Sequence, residues 1–256
     1  MPGSPNRLVG KVVLEALTAS FRHPHFLIAK QLTFDAPPPS TIHGLLAAAL
    51  GEYPHPASFE FAYNFTARRK TTDLEHQHVI YPQGGKIESF GVKYPKNIEG
   101  SVQPYLREFL FQTRLELYLD PPELADIFLA PVFCLSLGRS QDLAAVLSVE
   151  RCELASSPDA YLENTLVPFS DRPFLAQGTT LMMPSHISPP PERLVTFQRY
   201  IHLRTRVFAG TVPLGPLPSP NWTFLSPSTP RPWWVDPASP VVQGLHRAVI
   251  FHRLTP

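Results

Sequence analysis

The sequence predicts an α+β protein: a ferredoxin-like unit over residues 1–154, then a Pro-rich, mainly β region over residues 155–256. Three observations predict it. Proline accounts for 31 of 256 residues, about twice ordinary usage, which excludes a mostly helical chain. Apolar residues mostly alternate with polar ones, as in half-buried strands, and only one segment carries a clear helical stripe. Over the first 154 residues the elements run strand, helix, strand, strand, helix, strand, with a further short helix, which is the ferredoxin-like order.

Each element has a local reason. Residues 8–20 read as a strand, with Val12, Leu14 and Ala16 on one face and Lys11, Val13 and Glu15 on the other. The linker from Phe21 to Pro39 ends in Pro37-Pro38-Pro39, which suits the approach to a helix. Ser40 or Thr41 is the expected N-cap, Ile42, Leu45, Leu46, Ala49 and Leu50 form the apolar stripe, and Gly51 is the stop. Phe59–Thr66 reads as a second strand. Residues Thr66 to Gly100 turn polar and glycine-rich, as an extended hairpin or loop excursion. Phe111, Leu115, Leu117 and Leu119 alternate with Gln112, Arg114 and Glu116 in a third strand. A short helix over Pro121–Phe128, an apolar strand over Pro131–Leu137 ended by Gly138, a helix over Gln141–Leu147 and a strand over Ser148–Leu154 complete the unit. From Ala155 on, the last 102 residues hold 17 prolines, nine of them between Thr211 and Pro240, so that stretch is expected to be irregular. Phe197–Phe208 and Arg247–Leu254 read as strands, and Trp222, Trp233 and Trp234 suit an interface.

Composition excludes several classes. No run of about 18 apolar residues exists for a spanning helix, and no basic-then-apolar leader pattern opens the sequence. Two cysteines, Cys134 and Cys152, exclude a disulfide scaffold and have no zinc spacing, so a reducing cytoplasm is the expected compartment. No phosphate-binding glycine loop or dinucleotide fingerprint is present, and no metal or cofactor is expected.

The net charge of +1 hides an uneven distribution. Residues 1–34 carry four basic groups and one acidic group, residues 35–192 carry 11 and 19, and residues 193–256 carry seven Arg and one Asp. Two basic ends that meet in space make a surface suited to phosphate. Three places fit that chemistry. The helix start at Ser40 and Thr41 offers unpaired N–H groups and a positive dipole end, Gly44 lets a backbone approach, and Arg22 and Lys30 lie just upstream. Arg68, Arg69 and Lys70 occupy an acid-free window from Phe61 to Thr72. On the strand 197–208, His202, Arg204 and Arg206 share a face with Tyr200, a mixture of charge and ring that suits single-stranded RNA.

The run Phe21-Arg22, followed by Pro38-Pro39-Ser40-Thr41 and Gly44-Leu45-Leu46, resembles the N-terminal signature of CRISPR-associated protein family five, of the RAMP superfamily. Leu137-Gly138-Arg139-Ser140 resembles the family's second motif, and Gly210-Thr211-Val212-Pro213-Leu214-Gly215 a weaker third. The resemblance implies a β-hairpin thumb at about residues 66–104 and Arg139 and Ser140 at the RNA site. It implies a non-catalytic subunit of a type I surveillance complex (Cascade) that holds the 5′ handle of the guide RNA (crRNA) in antiviral defence. The implied partners are crRNA, a family-seven backbone subunit and the large PAM-reading subunit, with target DNA engaged indirectly and no membrane. One subtype of the family cleaves precursor crRNA, so a metal-independent endoribonuclease is the alternative. The ten histidines, His23, His43, His76 and His78 among them, have no spacing that such chemistry requires.

Overall fold

The computed structural model describes residues 6–24, 30–170, 178–210, 222–224 and 232–254. The protein is mostly β with few helices. In chain order the elements are β1 (Arg7–Ala19), β2 (Lys30–Gln31), α1 (Pro39–Leu50), β3 (Glu60–Ser89), β4 (Val92–Asp120), β5 (Ala144–Ser157), β6 (Ala160–Leu162) and β7 (Thr165–Pro168). They continue with β8 (Thr179–Ile187), β9 (Val195–Leu203), β10 (Val207–Gly210), β11 (Trp222–Phe224), β12 (Trp233–Asp236) and β13 (Arg247–Ala248). Short 3-10 turns cover Pro56–Ser58 and Pro122–Leu129.

The centre is an antiparallel sheet in the order β5-β1-β4-β3. β1 sits between β4 and β5, with Val12 opposite Leu117 and Val149. The strand is long and regular because its residues alternate. Val12, Leu14 and Ala16 enter the main core beneath α1, while Val9 packs on the other face with Ala62, Tyr118 and Leu154. The sheet extends past β5 through β12, β13, β6, β10 and β11, while β7, β9 and β8 form a second, three-stranded sheet.

α1 follows its stripe: Ile42, Leu45, Leu46 and Ala49 are buried, and Gly51 ends the helix in the left-handed region at φ 89°, its N–H donating to the Ala47 carbonyl at 2.9 Å. The expected cap is corrected. Pro38 is the N-cap and Pro39 opens the helix, so Ser40 and Thr41 lie within its first turn and neither side chain caps it. A proline at the first helical position is pre-set at helical φ and lacks only an N–H that would go unpaired there, so the helix begins one or two residues early.

Two other expectations are corrected in the same neighbourhood. Residues 131–137 form no strand. The N–H groups of Val132 and Phe133 donate to Ala49 and Ala48 at 3.0 and 2.9 Å, so the segment answers carbonyls that the end of α1 leaves unpaired. Gln141–Leu147 is not a helix. β5 starts at Ala144, and Ala144, Val146 and Val149 pack on the main core, with a bulge at Leu147 where Val13 opposes Ser148 and Leu14 opposes Val146. The helix expected at Pro121–Phe128 is the 3-10 turn Pro122–Leu129, which buries Ala125 and Phe128.

The segment read as a hairpin or loop excursion is a ribbon continuous with the core. β3 and β4 pair from Glu60↔Asp120 out to Ser89↔Val92, so two core strands extend into solvent. One edge of β4 takes β3 along its length, and the other takes β1 at Leu110–Leu119 and β2 at Leu106–Arg107.

The expected strand over 197–208 breaks. β9 ends at Leu203 and β10 begins at Val207, each in a different sheet. In place of a strand over Arg247–Leu254 there is the short β13, followed by a backbone bridge from His252 to Phe61. Trp233 and Trp234 are not exposed. They lie in β12, where Trp233 is 9% exposed and Trp234 packs on the cluster around Tyr118. The Trp222 side chain and residues 211–221 and 225–231, with most of the third motif, lie outside the described residues.

β5 crosses from the first region into the second, and a buried ionic knot joins them. Asp236, fully buried, accepts from Lys11 Nζ at 2.8 Å, Tyr118 OH at 2.7 Å and the Ala238 N–H at 2.8 Å. Burial alone would raise its carboxyl, but the hydrogen bonds from Lys11 and Tyr118 outweigh that and hold it below the usual range.

Candidate nucleic-acid interface

A cleft of about 430 Å³ opens at the start of α1. Four separate stretches line it: Phe21 and Arg22 after β1, Ser40 and Thr41 in the first turn of α1, Arg107 on β4, and Gly138 with Arg139 before β5. Pro184 and Ile187 of β8 close one wall.

Gly138 is what brings two motifs together. Its φ is +117°, and a Cβ there would sit 2.0 Å from the Ser20 carbonyl oxygen. Only glycine tolerates both the conformation and the approach. The Ser20 N–H donates to the Leu137 carbonyl at 3.1 Å, so the Leu-Gly-Arg-Ser turn rests on the exit of β1.

Asp142, fully buried, fixes the next residue. It accepts from Arg139 through its backbone N–H at 3.0 Å, Nε at 2.9 Å and Nη2 at 2.8 Å, and from the Thr18 hydroxyl. Burial would raise the Asp142 carboxyl; the bonds from Arg139 and Thr18 hold it below the usual range. Glu75, on the ribbon, accepts from Arg139 Nη1 and from Arg107 Nε. Two of the cleft's arginines are therefore preset by carboxylates. Arg22, exposed, makes no hydrogen bond or ion pair through its side chain with a described residue. An anion in the cleft meets one free guanidinium, two oriented ones and the first turn of α1, with its positive dipole end.

A second recess of about 240 Å³ lies beside the root of the ribbon and gathers Arg69, Lys70, His202 and Arg204. In the sequence these residues belong to two separate candidate places; folding brings them together. The remaining residues singled out in the sequence scatter. Lys30 and Lys70 pair with Glu108 at 3.1 and 3.2 Å; burial alone would raise that carboxyl, and both hydrogen bonds outweigh it and hold it low. Arg68 donates to Gln112 at 2.9 Å. Ser140 is exposed in the turn after Arg139, and Gly44 is exposed on α1 with open space where a Cβ would go, so no contact requires glycine there. The shared face of Tyr200, His202, Arg204 and Arg206 is corrected: Tyr200 and His202 are buried, and Arg206 lies beyond the end of β9, paired with Glu163 at 2.8 Å. The turn at Arg204–Arg206 breaks the alternation on which that face depended.

Arg107 and Glu75 escaped the sequence reading. Arg107 stands two residues from Phe109 on one face of β4, an alternation that was readable once the strand was extended past Phe111. Glu75 gave no local signal, because its partner Arg139 is 64 residues away.

No protein-family model matches the sequence, and neither does any curated protein. Solved structures do. A chain of a "CRISPR RNA-guided surveillance complex" superimposes with a TM-score of 0.50 at 16% identity, over 78% of this chain and 91% of that one. A chain of the type III-B Cmr-beta complex bound to cognate target RNA gives 0.45 at 12% identity, over 77% and 86%. A CRISPR protein from Archaeoglobus fulgidus gives 0.41 at 12% identity, over 78% and 87%. The structural neighbours are thus proteins of CRISPR systems. The fold is the α+β kind, mostly β with few helices, found in the surveillance-complex chain.

Proposed function

We propose that this chain is a non-catalytic crRNA-binding subunit of a type I CRISPR effector complex, holding the 5′ handle of the guide. The observation that carries the reading is the cleft, where Arg22, Ser40, Thr41, Arg107 and Arg139 converge from four stretches of sequence. The antiparallel order β5-β1-β4-β3, with α1 between β1 and β3, supports a ferredoxin-like RAMP unit over residues 1–154 beside the β region 155–256. The solvent-exposed ribbon supports a thumb at about residues 66–104. In this reading the partners are a family-seven backbone subunit and the large PAM-reading subunit in the cytoplasm, with target DNA reached through the guide. Among the described residues no helix is long and apolar enough to cross a membrane.

The test is binding of repeat-derived RNA by the purified full chain, with and without a Ser40→Asp, Thr41→Asp double change. Acidic residues in the first turn suit the helix dipole, so the melting temperature should hold while binding falls. Unchanged binding removes the cleft from the reading. A defined cut of the RNA without divalent metal overturns the non-catalytic assignment in favour of an endoribonuclease.

A further inference from the structure

The recess beside the ribbon's root differs from the cleft in its free charge. Arg69 on β3 and Arg204 just after β9 both line it, are exposed, and make no hydrogen bond or ion pair through their side chains with a described residue. The one carboxylate in its lining, Asp35, is already paired with Lys70 at 3.2 Å. His202 is 5% exposed, lines the recess, and its ring has no hydrogen-bond partner among the described residues. Burial lowers its pKa, so at neutral pH the ring is uncharged, with one N–H donor to give.

The volume, about 240 Å³, is the room of roughly eight water molecules, enough for a phosphate and part of its sugar. The recess also shares a wall with the cleft's surroundings. Lys70 Nζ donates to the Thr33 carbonyl at 2.9 Å, and the Arg22 backbone bridges Thr33, so both hollows flank the segment from Thr33 to Pro38.

We propose that this recess is a phosphate-binding subsite for single-stranded RNA, with Arg69 and Arg204 clamping the phosphate and His202 donating the third hydrogen bond. It rests on the RNA-binding reading and adds to it a second contact point beyond the cleft. Two sources of phosphate share this chemistry, an internal linkage and a 5′-terminal monophosphate.

The experiment uses the full chain and a repeat-derived single-stranded RNA made with either a 5′ hydroxyl or a 5′ monophosphate. The Arg69→Ala, Arg204→Ala double variant should melt as the parent does. Each lost contact lowers the salt slope of binding by about 0.7, so the slope should fall by about 1.4 and the parent should lose about sevenfold more affinity than the variant between about 50 and 200 mM salt. His202→Phe, which keeps a ring and removes the donor, should weaken binding about fivefold at an unchanged slope. Equal effects on both RNAs assign an internal linkage, and an effect confined to the monophosphate assigns the chain end; either supports the subsite. A double variant with the parent's slope, while Arg107→Ala lowers it, overturns the subsite and leaves the RNA reading standing. A parent chain that binds neither RNA overturns the RNA reading itself.

Discussion

The cleft at the start of α1 holds two of its three arginines preset by carboxylates, whereas the recess beside the ribbon holds both of its arginines unpaired among the described residues. In the cleft, Arg139 is bound by Asp142 and Glu75, and Arg107 by Glu75, so geometry is set before any ligand arrives. In the recess, Arg69 and Arg204 are free of such partners among the described residues, and their charge is available in full. A preset guanidinium has already lost its rotamer freedom and contributes orientation. A free one contributes long-range attraction and salt dependence. The two hollows together suit a ligand that carries repeated negative charge and must still be held in one register.

The largest way to break this comparison is Asp142→Ala. It strips a half-buried guanidinium of its main partner and releases the turn that Gly138 seats, at a cost of about 3 kcal/mol. A denaturant melt should show that loss, with cleft binding gone. A melt like the parent's contradicts the preset role. Gly138→Ala comes next. A Cβ 2.0 Å from the Ser20 oxygen, at φ +117°, should cost about 2 kcal/mol and separate the two motifs, readable in the same melt.

Acid should act on the two buried carboxylates, Asp142 under the cleft and Asp236 in the ionic knot. The carboxyls of Asp142 and Asp236 are held below the ordinary 3.8, so the unfolded chain binds protons that the native chain does not. That stability is fully present above 3.8 and is lost as pH falls through the lower native values. Urea midpoints should stay level at neutral pH and drop toward about pH 3, with a shallower drop in Asp142→Asn.

Smaller effects sharpen the contrast in RNA binding. Arg204→Ala should lower the salt slope by about 0.7, and Arg107→Ala by less, because Glu75 already offsets that charge. Equal slopes for the two variants would remove the distinction between the regimes. Glu75→Gln should lower RNA affinity about twofold, because Arg107 and Arg139 lose the carboxylate that orients them, whereas a rise in affinity would mean that Glu75 acts only by offsetting their charge.

What was legible in the sequence is what neighbours decide. The strand at β1 and the helix α1 with its stop at Gly51 depend on periods of two and 3.6 residues and on a terminal glycine, all within about a dozen positions. The gathering of Arg22, Ser40, Thr41 and Arg139 into one cleft was legible only as motifs, since nothing in their spacing states that Gly138 lies on Ser20. Segments 131–137 and 141–147 were misread because their partners are remote. The first answers the end of α1, and the second joins β1 from Ala144 on, a pairing that overrides the helical preference of Ala144-Ala145. Charge was misread for the same reason. Lys70, Arg139 and Arg206 stand in the sequence as free cations, and only folding sets Glu108, Asp35, Glu75 and Glu163 against them. By itself, then, the sequence determined periodicity, breaks and the count of charges. Which charges remain unpaired, and therefore what the surface can bind, was decided by contacts between strands far apart in the chain, because electrostatic energy depends on distance in space.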